Sequence, residues 1–452
     1  MKAAPLGWLG IFRLGLVQTS LGAIVVLTTS TLNRIMVVEL ALPAMLPGAL
    51  VAIHYALQFL RPRLGHGSDV GGRRTPWIVG GMAVLAAGGM VASLATAWMA
   101  TDLASGIALA VAGFVLIGVG VGAAGTSLLV LLAKRVDDRR RAPAATIVWI
   151  MMIAGFAVTA GVAGHLLDPY TPARLVAVTG AVCAIAVAVT LAALWGVEGR
   201  GAPAGEGYEP KAKVPFRAAL AQVWDETQSR RFTVFIFVSM LAYGAQDLIL
   251  EPFAGAVFGL TPGQSTKLSG VQHGGVLAGM LLVAIVCGVG RGGRPGLLRL
   301  WTVIGCGASA LALFGLAVAG AVGPAWPLNA SVFFLGVANG AYAIAAIGSM
   351  MALVVAGHKS REGVRMGLWG AAQALAFGSG GFLGTVAIDL ARGLTHSPVL
   401  AYSIVFASEG ALFLVAAWLA ARVDAARREE GETPPVAGGA AAPAFALETR
   451  GA

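Results

Sequence analysis

Charged side chains are scarce in this chain. Asp, Glu, Lys and Arg make up 12% of its 452 residues, whereas hydrophobic types make up 58%. A soluble globular domain carries about twice that share of charge. So few charges cannot cover the surface of a water-soluble protein, and the shortage therefore favours a chain that lies mostly within a lipid bilayer.

The chain also has only three cysteines and lacks the phosphate-binding string of ATP-driven pumps. Cys183, Cys287 and Cys306 lie inside apolar stretches, without a CxxC pair or a Cys/His ligand spacing, so the sequence predicts neither disulfides nor a metal site. No GxxxxGK[ST] string occurs, which leaves ATP-driven pumping by this chain without support. No nucleophile–base pattern stands out either, and we predict that the protein is not an enzyme.

Long apolar runs are what the chain has in abundance. A helix that crosses the hydrocarbon core needs roughly 20 mostly apolar residues, and twelve stretches qualify. The first run has no small-residue cleavage site after it, so we predict a retained helix rather than a signal peptide. The predicted spans are 11–32, 42–60, 77–99, 103–133, 143–166, 173–196, 232–253, 268–290, 297–320, 326–356, 363–390 and 398–422.

The basic residues indicate the orientation of these helices. The net charge of +10 would suggest a nucleic-acid partner in a soluble protein, but here the charges cluster between apolar runs. If both ends face the cytoplasm, 27 of the 31 Lys and Arg lie on the inner side. The four on the outer side are Arg34, Arg174, Lys267 and Arg392. This asymmetry follows the positive-inside rule. It predicts a multi-pass protein with both termini cytoplasmic and no nucleic-acid partner.

A polar segment divides the twelve helices into two groups of six. We predict an N-terminal bundle over residues 1–196, a cytoplasmic linker over 197–231, a C-terminal bundle over 232–422 and a disordered cytoplasmic tail over 423–452. The tail lacks the apolar residues needed for a core. Within the linker, helical spacing of the apolar residues predicts an amphipathic helix on the membrane surface; they are Phe216, Leu220, Val223 and Trp224.

The loop after the second predicted helix reads GHGSDVGGRRTPW over residues 65–77. Its glycines permit a tight turn at the membrane surface. Its aspartate can accept hydrogen bonds from a helix N-terminus or an arginine and so latch one conformation. The motif resembles the loop between helices two and three of major facilitator transporters, and the matching residues are Gly65, Asp69, Gly72, Arg73 and Arg74.

The seventh predicted helix carries polar residues in an otherwise apolar run. These are Gln246, Asp247 and Glu251. A charge near the bilayer centre costs about 3 kcal/mol on insertion scales, so such groups normally face a cavity or a partner. Asp247 and Glu251 are four residues apart and share a helix face. Two interpretations stay open: a site for a polar headgroup, a proton or a metal-bearing ligand, or a carboxylate pair near the outer end.

Further candidates lie elsewhere in the apolar runs. We expect Arg34 and Glu39 near the outer surface, at the end of the first helix, and Arg34 to pair with Glu39, Asp247 or Glu251. A neutral imidazole can bind the central metal of a magnesium tetrapyrrole axially. Two histidines inside predicted spans suit that role, unless they are hydrogen-bonded core residues; they are His54 and His273. Other side chains could line a cavity or join helices: Gln18, Gln58, Gln272, Asn339, Tyr342 and Gln373.

Three strings together resemble the bacteriochlorophyll delivery family, the PucC and LhaA proteins, a branch of the major facilitator superfamily. They read LGLVQTSLGAIVVLTTSTLNRIMVVELALPA (14–44), GHGSDVGGRRTPW (65–77) and RRFTVFIFVSMLAYGAQDLILEPFAG (230–255). The resemblance covers essentially the whole helical region. It implies an all-α fold of twelve transmembrane helices in two six-helix pseudo-repeats, the major facilitator fold, in the bacterial cytoplasmic (inner or intracytoplasmic) membrane.

The resemblance also implies a function. The protein would be a light-harvesting complex assembly factor that binds or delivers bacteriochlorophyll, with carotenoid or lipid as further cargo. Its partners would be antenna polypeptides, the reaction centre or pigment-synthesis enzymes, together with membrane lipid. The alternative is a proton-coupled secondary transporter of a small solute, in which Asp247 and Glu251 would be the coupling carboxylates.

Fusion proteins test the predicted orientation. A green fluorescent protein fused to either end should fluoresce, and alkaline phosphatase fused to the same end should be inactive, because both ends are predicted to stay in the cytoplasm. Active phosphatase at one end would contradict the even number of crossings.

Overall fold

The computed structural model describes residues 6–60, 73–198, 224–287, 295–356 and 362–423, and their regular structure consists of helices. Eleven helices in these ranges are long and apolar enough to cross a membrane, and a twelfth is shorter. The chain is a multi-pass membrane protein. In chain order the helices are α1 (Trp8–Glu39), α2 (Met45–Ala56, continued by the 3-10 turn Leu57–Leu60), α3 (Thr75–Trp98), α4 (Leu103–Arg135), α5 (Asp138–Leu166), α6 (Pro172–Leu194), α7 (Thr227–Phe258), α8 (Pro262–Cys287), α9 (Pro295–Val322), α10 (Leu328–Ala356), α11 (Glu362–Thr395) and α12 (Pro398–Val423).

The helix contacts repeat after six helices. In the first half α1 packs on α5 and α6, α3 packs on α4 and α6, and α2 packs on α4. Each of these pairs has a counterpart six helices later: α7 with α11 and α12, α9 with α10 and α12, and α8 with α10. The halves meet through α5–α8 and α2–α11, which are equivalent under the same shift. The predicted fold of two six-helix pseudo-repeats is confirmed.

The first helix is longer than predicted. It continues beyond residue 32 through two π-helical turns, Leu27–Thr31 and Ile35–Glu39. Polar residues do not end a helix in lipid when neighbouring helices satisfy them, and the side chains of Asn33 and Arg34 both bond to carbonyls of the second half. Arg34 therefore lies inside the bundle, with 1% of its surface exposed.

Several predictions fall on other parts of the chain. The α-helical part of the second span begins at Met45 rather than at 42. Three predicted features lie outside the described residues: part of the loop motif (Gly65, Asp69 and Gly72), the surface helix of the linker apart from Trp224, and the tail beyond Val423. The boundaries of the four predicted segments therefore stay a prediction.

Glycines bring α8 and α10 close together. A Cβ added to Gly275 or Gly279 of α8 would meet carbonyl oxygens of α10, and one added to Gly336 or Gly340 of α10 would meet carbonyl oxygens of α8. The four form two glycine pairs spaced by four residues, which is the small-residue pattern that lets membrane helices approach. This contact fixes α8 on the side of the second half.

Substitution in this contact tests its role. Gly340→Leu should lower the melting temperature of the purified protein, because overpacking costs about 1–3 kcal/mol. The control is Gly307→Leu on α9, where an added Cβ meets nothing within 4 Å and the melting temperature should stay unchanged. Equal effects of the two changes would contradict the packing.

Candidate ligand site between the two halves

We call the end of the bundle that carries the α1–α2, α5–α6 and α7–α8 connections the outer end, since the charge pattern predicts that it faces away from the cytoplasm. Toward this end α1 meets α7 and α8 through hydrogen bonds. Ser30 Oγ donates to Glu251 Oε1 at 2.6 Å, and Thr266 Oγ1 donates to Glu251 Oε2 at 3.5 Å. Thr31 and Thr266 share a hydrogen bond of 3.2 Å. Glu251 is thus held at the junction of three helices, with 1% of its surface exposed.

The guanidinium of Arg34 lies beside this junction. Its Nη1 forms an ion pair with Glu39 Oε1 at 2.5 Å, and its Nη2 donates to the carbonyl oxygen of Leu260 at 2.5 Å. Of the pairings expected from the sequence, the structure shows the one with Glu39. Arg34 is still close enough to Glu251 for their charges to interact. The cation thereby joins the end of α1 to the α7–α8 connection of the other half.

Asp247 and Glu251 face α8 together, one turn apart. Glu251 contacts Thr266, and Asp247 lies close enough to His273 for their charges to interact. Asp247 keeps part of its surface accessible. Gln246 differs, because none of its surface is exposed and it belongs to the interior of the second half. The structure therefore brings together two of the three polar residues predicted on this helix.

His273 of α8 is held in one orientation. Its Nδ1 lies 2.9 Å from the carbonyl oxygen of Ser269, so Nδ1 carries the proton in the neutral ring and Nε2 keeps its lone pair. The ring of Phe156 on α5 packs edge-on against it, with centroids 5.0 Å apart. In this tautomer the lone pair that can bind a metal lies on Nε2.

His54 occupies the other interface between the halves. It lies on α2, which packs on α11 and α4, and its ring contacts Tyr55 at 4.8 Å between centroids. Tyr55 in turn contacts Phe377 of α11 at 5.7 Å. The structure thus places the two candidate histidines on opposite sides of the contact between the halves, and His273 is the one beside the carboxylates of α7.

A cleft of about 770 Å³ opens on the outer side of this cluster. It lies between the end of α1, the α5–α6 connection and the α7–α8 connection. Burial raises the pKa of the Tyr170 phenol above its usual value, Glu39 raises it further, and Arg34 opposes them. The lining comprises Arg34, Val38, Glu39, Asp168, Pro169, Tyr170, Gly255, Gly259, Leu260, Thr261, Pro262 and Gln264.

Two aspartates that the sequence did not single out join the halves at the outer end. Asp168, just after α5, accepts from Thr261 Oγ1 at 2.8 Å and from the Gly263 N–H at 3.2 Å, at the start of α8. Asp389 on α11 accepts from the N–H groups of Ala44 and Met45 at 3.0 and 2.7 Å, at the start of α2. A carboxylate stabilises a helix N-terminus. Since α5–α8 and α11–α2 are equivalent, the two contacts form a symmetric pair.

The described part of the loop motif is held by a glutamate that follows α6. Glu198 accepts from the N–H groups of Arg74 and Thr75, both at 2.8 Å, at the start of α3. Burial alone would raise the pKa of the Glu198 carboxyl, but these hydrogen bonds and the charge of Arg73 outweigh it and hold the pKa below its usual value. The sequence predicts Asp69 as the carboxylate that accepts from a helix N-terminus or an arginine, and it contains no sign that Glu198 holds the start of α3.

The sequence is similar to that of known proteins over most of its length. The family model described as "PUCC protein" matches residues 31–428. The chain is 53% identical to the "Bacteriochlorophyll synthase 44.5 kDa chain" of Rhodobacter capsulatus, over 93% of this chain and 97% of that protein. It is 30% identical to "Protein PucC" of Rhodobacter capsulatus, over 90% of each chain.

Solved structures share the fold at low identity. A crystal structure of the nucleoside transporter NupG aligns over 92% of this chain and 99% of its own, with a TM-score of 0.63 and 13% identity. A peptide transporter POT in complex with sulfate aligns over 94% and 96%, with a TM-score of 0.65 and 14% identity. These similarities support the major facilitator architecture and carry no information about the ligand.

The paired aspartates can be tested by labelling. In a Thr31→Cys background, changing both Asp168 and Asp389 to Asn should speed alkylation from outside by a membrane-impermeant maleimide. The lost charge–helix interactions are each worth about 0.3–1 kcal/mol, so the rate should rise roughly 3- to 30-fold.

The matched control for this labelling is Asp102→Asn. Asp102 lies at the same end, but it accepts at 3.3 Å from the N–H group of Ser105, at the start of the helix that it precedes. It therefore does not connect the two halves. An equal rate in the control and the double variant would contradict the assignment.

Proposed function

Since the chain belongs to the PUCC protein family, we propose that it binds bacteriochlorophyll between its two halves and delivers the pigment to light-harvesting antenna polypeptides as an assembly factor. The names of its relatives link them to this pigment and to the PucC proteins. The proposed location is the bacterial cytoplasmic membrane, with both ends of the chain inside the cell.

The observation that carries this proposal is the placement of His273. The hydrogen bond from Nδ1 to Ser269 leaves Nε2 as a ligand atom, and magnesium in a chlorophyll-type macrocycle accepts one axial nitrogen. The ring lies at the contact of α5 with α8, where the side chains are mostly apolar, as a large hydrophobic pigment requires.

The acidic and basic residues nearby would serve the pigment's polar edge. Asp247, which is partly accessible, lies close enough to His273 for their charges to interact. Glu251 is already occupied by Ser30 and Thr266 and is better suited to join the helices than to bind cargo. We therefore assign Asp247 and His273 to the pigment, and Glu251, Arg34 and Glu39 to the closure of the outer end.

A second function has some support from the same residues. A partly accessible carboxylate beside a histidine also suits a proton-coupled transporter of a small solute. Purified protein in liposomes that took up a solute with protons, and that carried no pigment when isolated from a phototroph, would favour this alternative.

The His273→Ala variant tests pigment binding. When the protein is purified in mild detergent from a phototrophic host, the bacteriochlorophyll bound per chain should fall about tenfold or more, the scale at which the loss of metal-holding interactions acts. Absorption spectroscopy measures the ratio.

His165→Ala provides the control, because His165 is exposed at the outer end of α5 and the ratio should not change. Equal pigment in wild type and His273→Ala, with both folded, would rule out the assigned ligand.

A further inference from the structure

The second half contains polar side chains that the candidate site does not use. Gln246 on α7, Asn339 on α10 and Glu409 on α12 expose 0%, 0% and 2% of their surfaces. Among the described residues, hydrogen-bond partners are lacking for both polar atoms of Gln246, the amide nitrogen of Asn339 and both carboxylate oxygens of Glu409. A buried polar atom without a partner loses the hydrogen bonds that water gives it in the unfolded chain, so each of these atoms requires a partner.

An aromatic cluster fixes the relative height of these three helices. The rings of Tyr243 on α7 and Tyr342 on α10 lie 6.4 Å apart, and Tyr342 lies 5.6 Å from Phe413 on α12. The three rings therefore form one layer across the second half.

The polar side chains form the next layer outward. Each one lies one helical turn from a ring of the aromatic layer, which corresponds to about 4.5–6 Å along the axis, and on the same helix face. Gln246 follows Tyr243 by three residues, Asn339 precedes Tyr342 by three, and Glu409 precedes Phe413 by four. Because α7 runs outward and the other two helices run inward, all three steps point the same way.

Other side chains close this layer on its remaining sides. Ser309 Oγ of α9 donates to Asn339 Oδ1 at 2.8 Å, so the amide oxygen of Asn339 is paired while that of Gln246 is not. Farther outward, Phe253 of α7 contacts Tyr402 and Phe406 of α12, with ring centroids 5.4 and 4.9 Å away. The polar layer is thus enclosed between aromatic layers.

We propose that Gln246, Asn339 and Glu409 form a buried hydration site in which Glu409 carries a proton. The unpaired atoms share a layer, form no hydrogen bond with one another, and include both donors and acceptors. Water can accept from the amide N–H groups and donate to the oxygens, as buried water commonly does.

The charges and donor types around Glu409 favour a proton over a metal ion. Within the described residues the one ion pair is that of Arg34 with Glu39, so Glu409 has no cationic side chain to balance it there. An unpaired carboxylate in an apolar interior is very costly and is neutralised instead. A hard cation would require mostly oxygen ligands, whereas two of the three side chains present N–H groups to the layer.

This site is separate from the pigment site, although the two are adjacent on α7. Gln246 faces the interior of the second half, and the next residue, Asp247, faces α8 and lies close to His273. The second half therefore contains an enclosed proton-binding group beside a carboxylate that is partly accessible.

Infrared spectroscopy of the full-length protein in lipid nanodiscs tests the proton. Wild type should show the carbonyl stretching band of a protonated carboxylic acid, and Glu409→Gln should lack one component of it. The melting temperature of this variant should match wild type, because glutamine has the shape of the neutral acid. Glu251→Gln serves as the matched control and should retain the Glu409 component. Identical spectra for wild type and Glu409→Gln would overturn the proposal.

Two further measurements test for bound water and for a bound cation. In X-ray radiolytic labelling, water held in the layer should make Phe413 react several-fold faster than Phe114. The two side chains are equally buried, because Phe413 exposes 0% of its surface and Phe114 exposes 1%. Equal labelling of the two would refute bound water. A melting temperature that falls when sodium is replaced by choline, in wild type but not in Glu409→Gln, would assign the site to a cation instead.

Discussion

The hydrogen-bonded contact of α1 with α7 and α8 is the interaction on which the rest of this structure depends. A polar side chain within the bilayer must find its partner in the protein. Ser30 and Thr266 meet this requirement for Glu251, and Leu260 and Glu39 meet it for Arg34. These bonds hold the π-helical part of α1 inside the bundle and set the position of α7. Asp247 thereby comes close enough to His273 of α8 for their charges to interact.

The repeat explains why the outer end closes as it does. Because α5–α8 and α2–α11 are equivalent contacts, a carboxylate in one half can hold the start of a helix in the other, twice. Asp168 and Asp389 do so at the outer end, where Gly164 approaches Gly263 and Gly48 approaches Thr385 closely. Closure therefore combines small-residue packing with charge at helix starts, and a rearrangement of the halves would have to break both pairs.

The sequence predicted the helices, their repeat and the shared face of Asp247 and Glu251, because apolar length and helical spacing are local properties. It did not predict which residues of other helices each polar side chain contacts. Hydropathy alone ended α1 at residue 32, since it could not reveal that the other half satisfies Asn33 and Arg34. Gln246 was grouped with its neighbours although it faces another interior. Glu409 was visible as a single acid in the last apolar run, but its enclosure depends on rings from three helices.

The proposed pigment site lies between the halves, beside His273. The most direct measurement is an electron cryo-microscopy map of the protein isolated from a phototrophic membrane. The expected result is density for a planar macrocycle with its metal facing His273 Nε2 and its edge near Asp247. Pigment density only on the lipid-facing surface, with side chains packed against His273, would contradict this site.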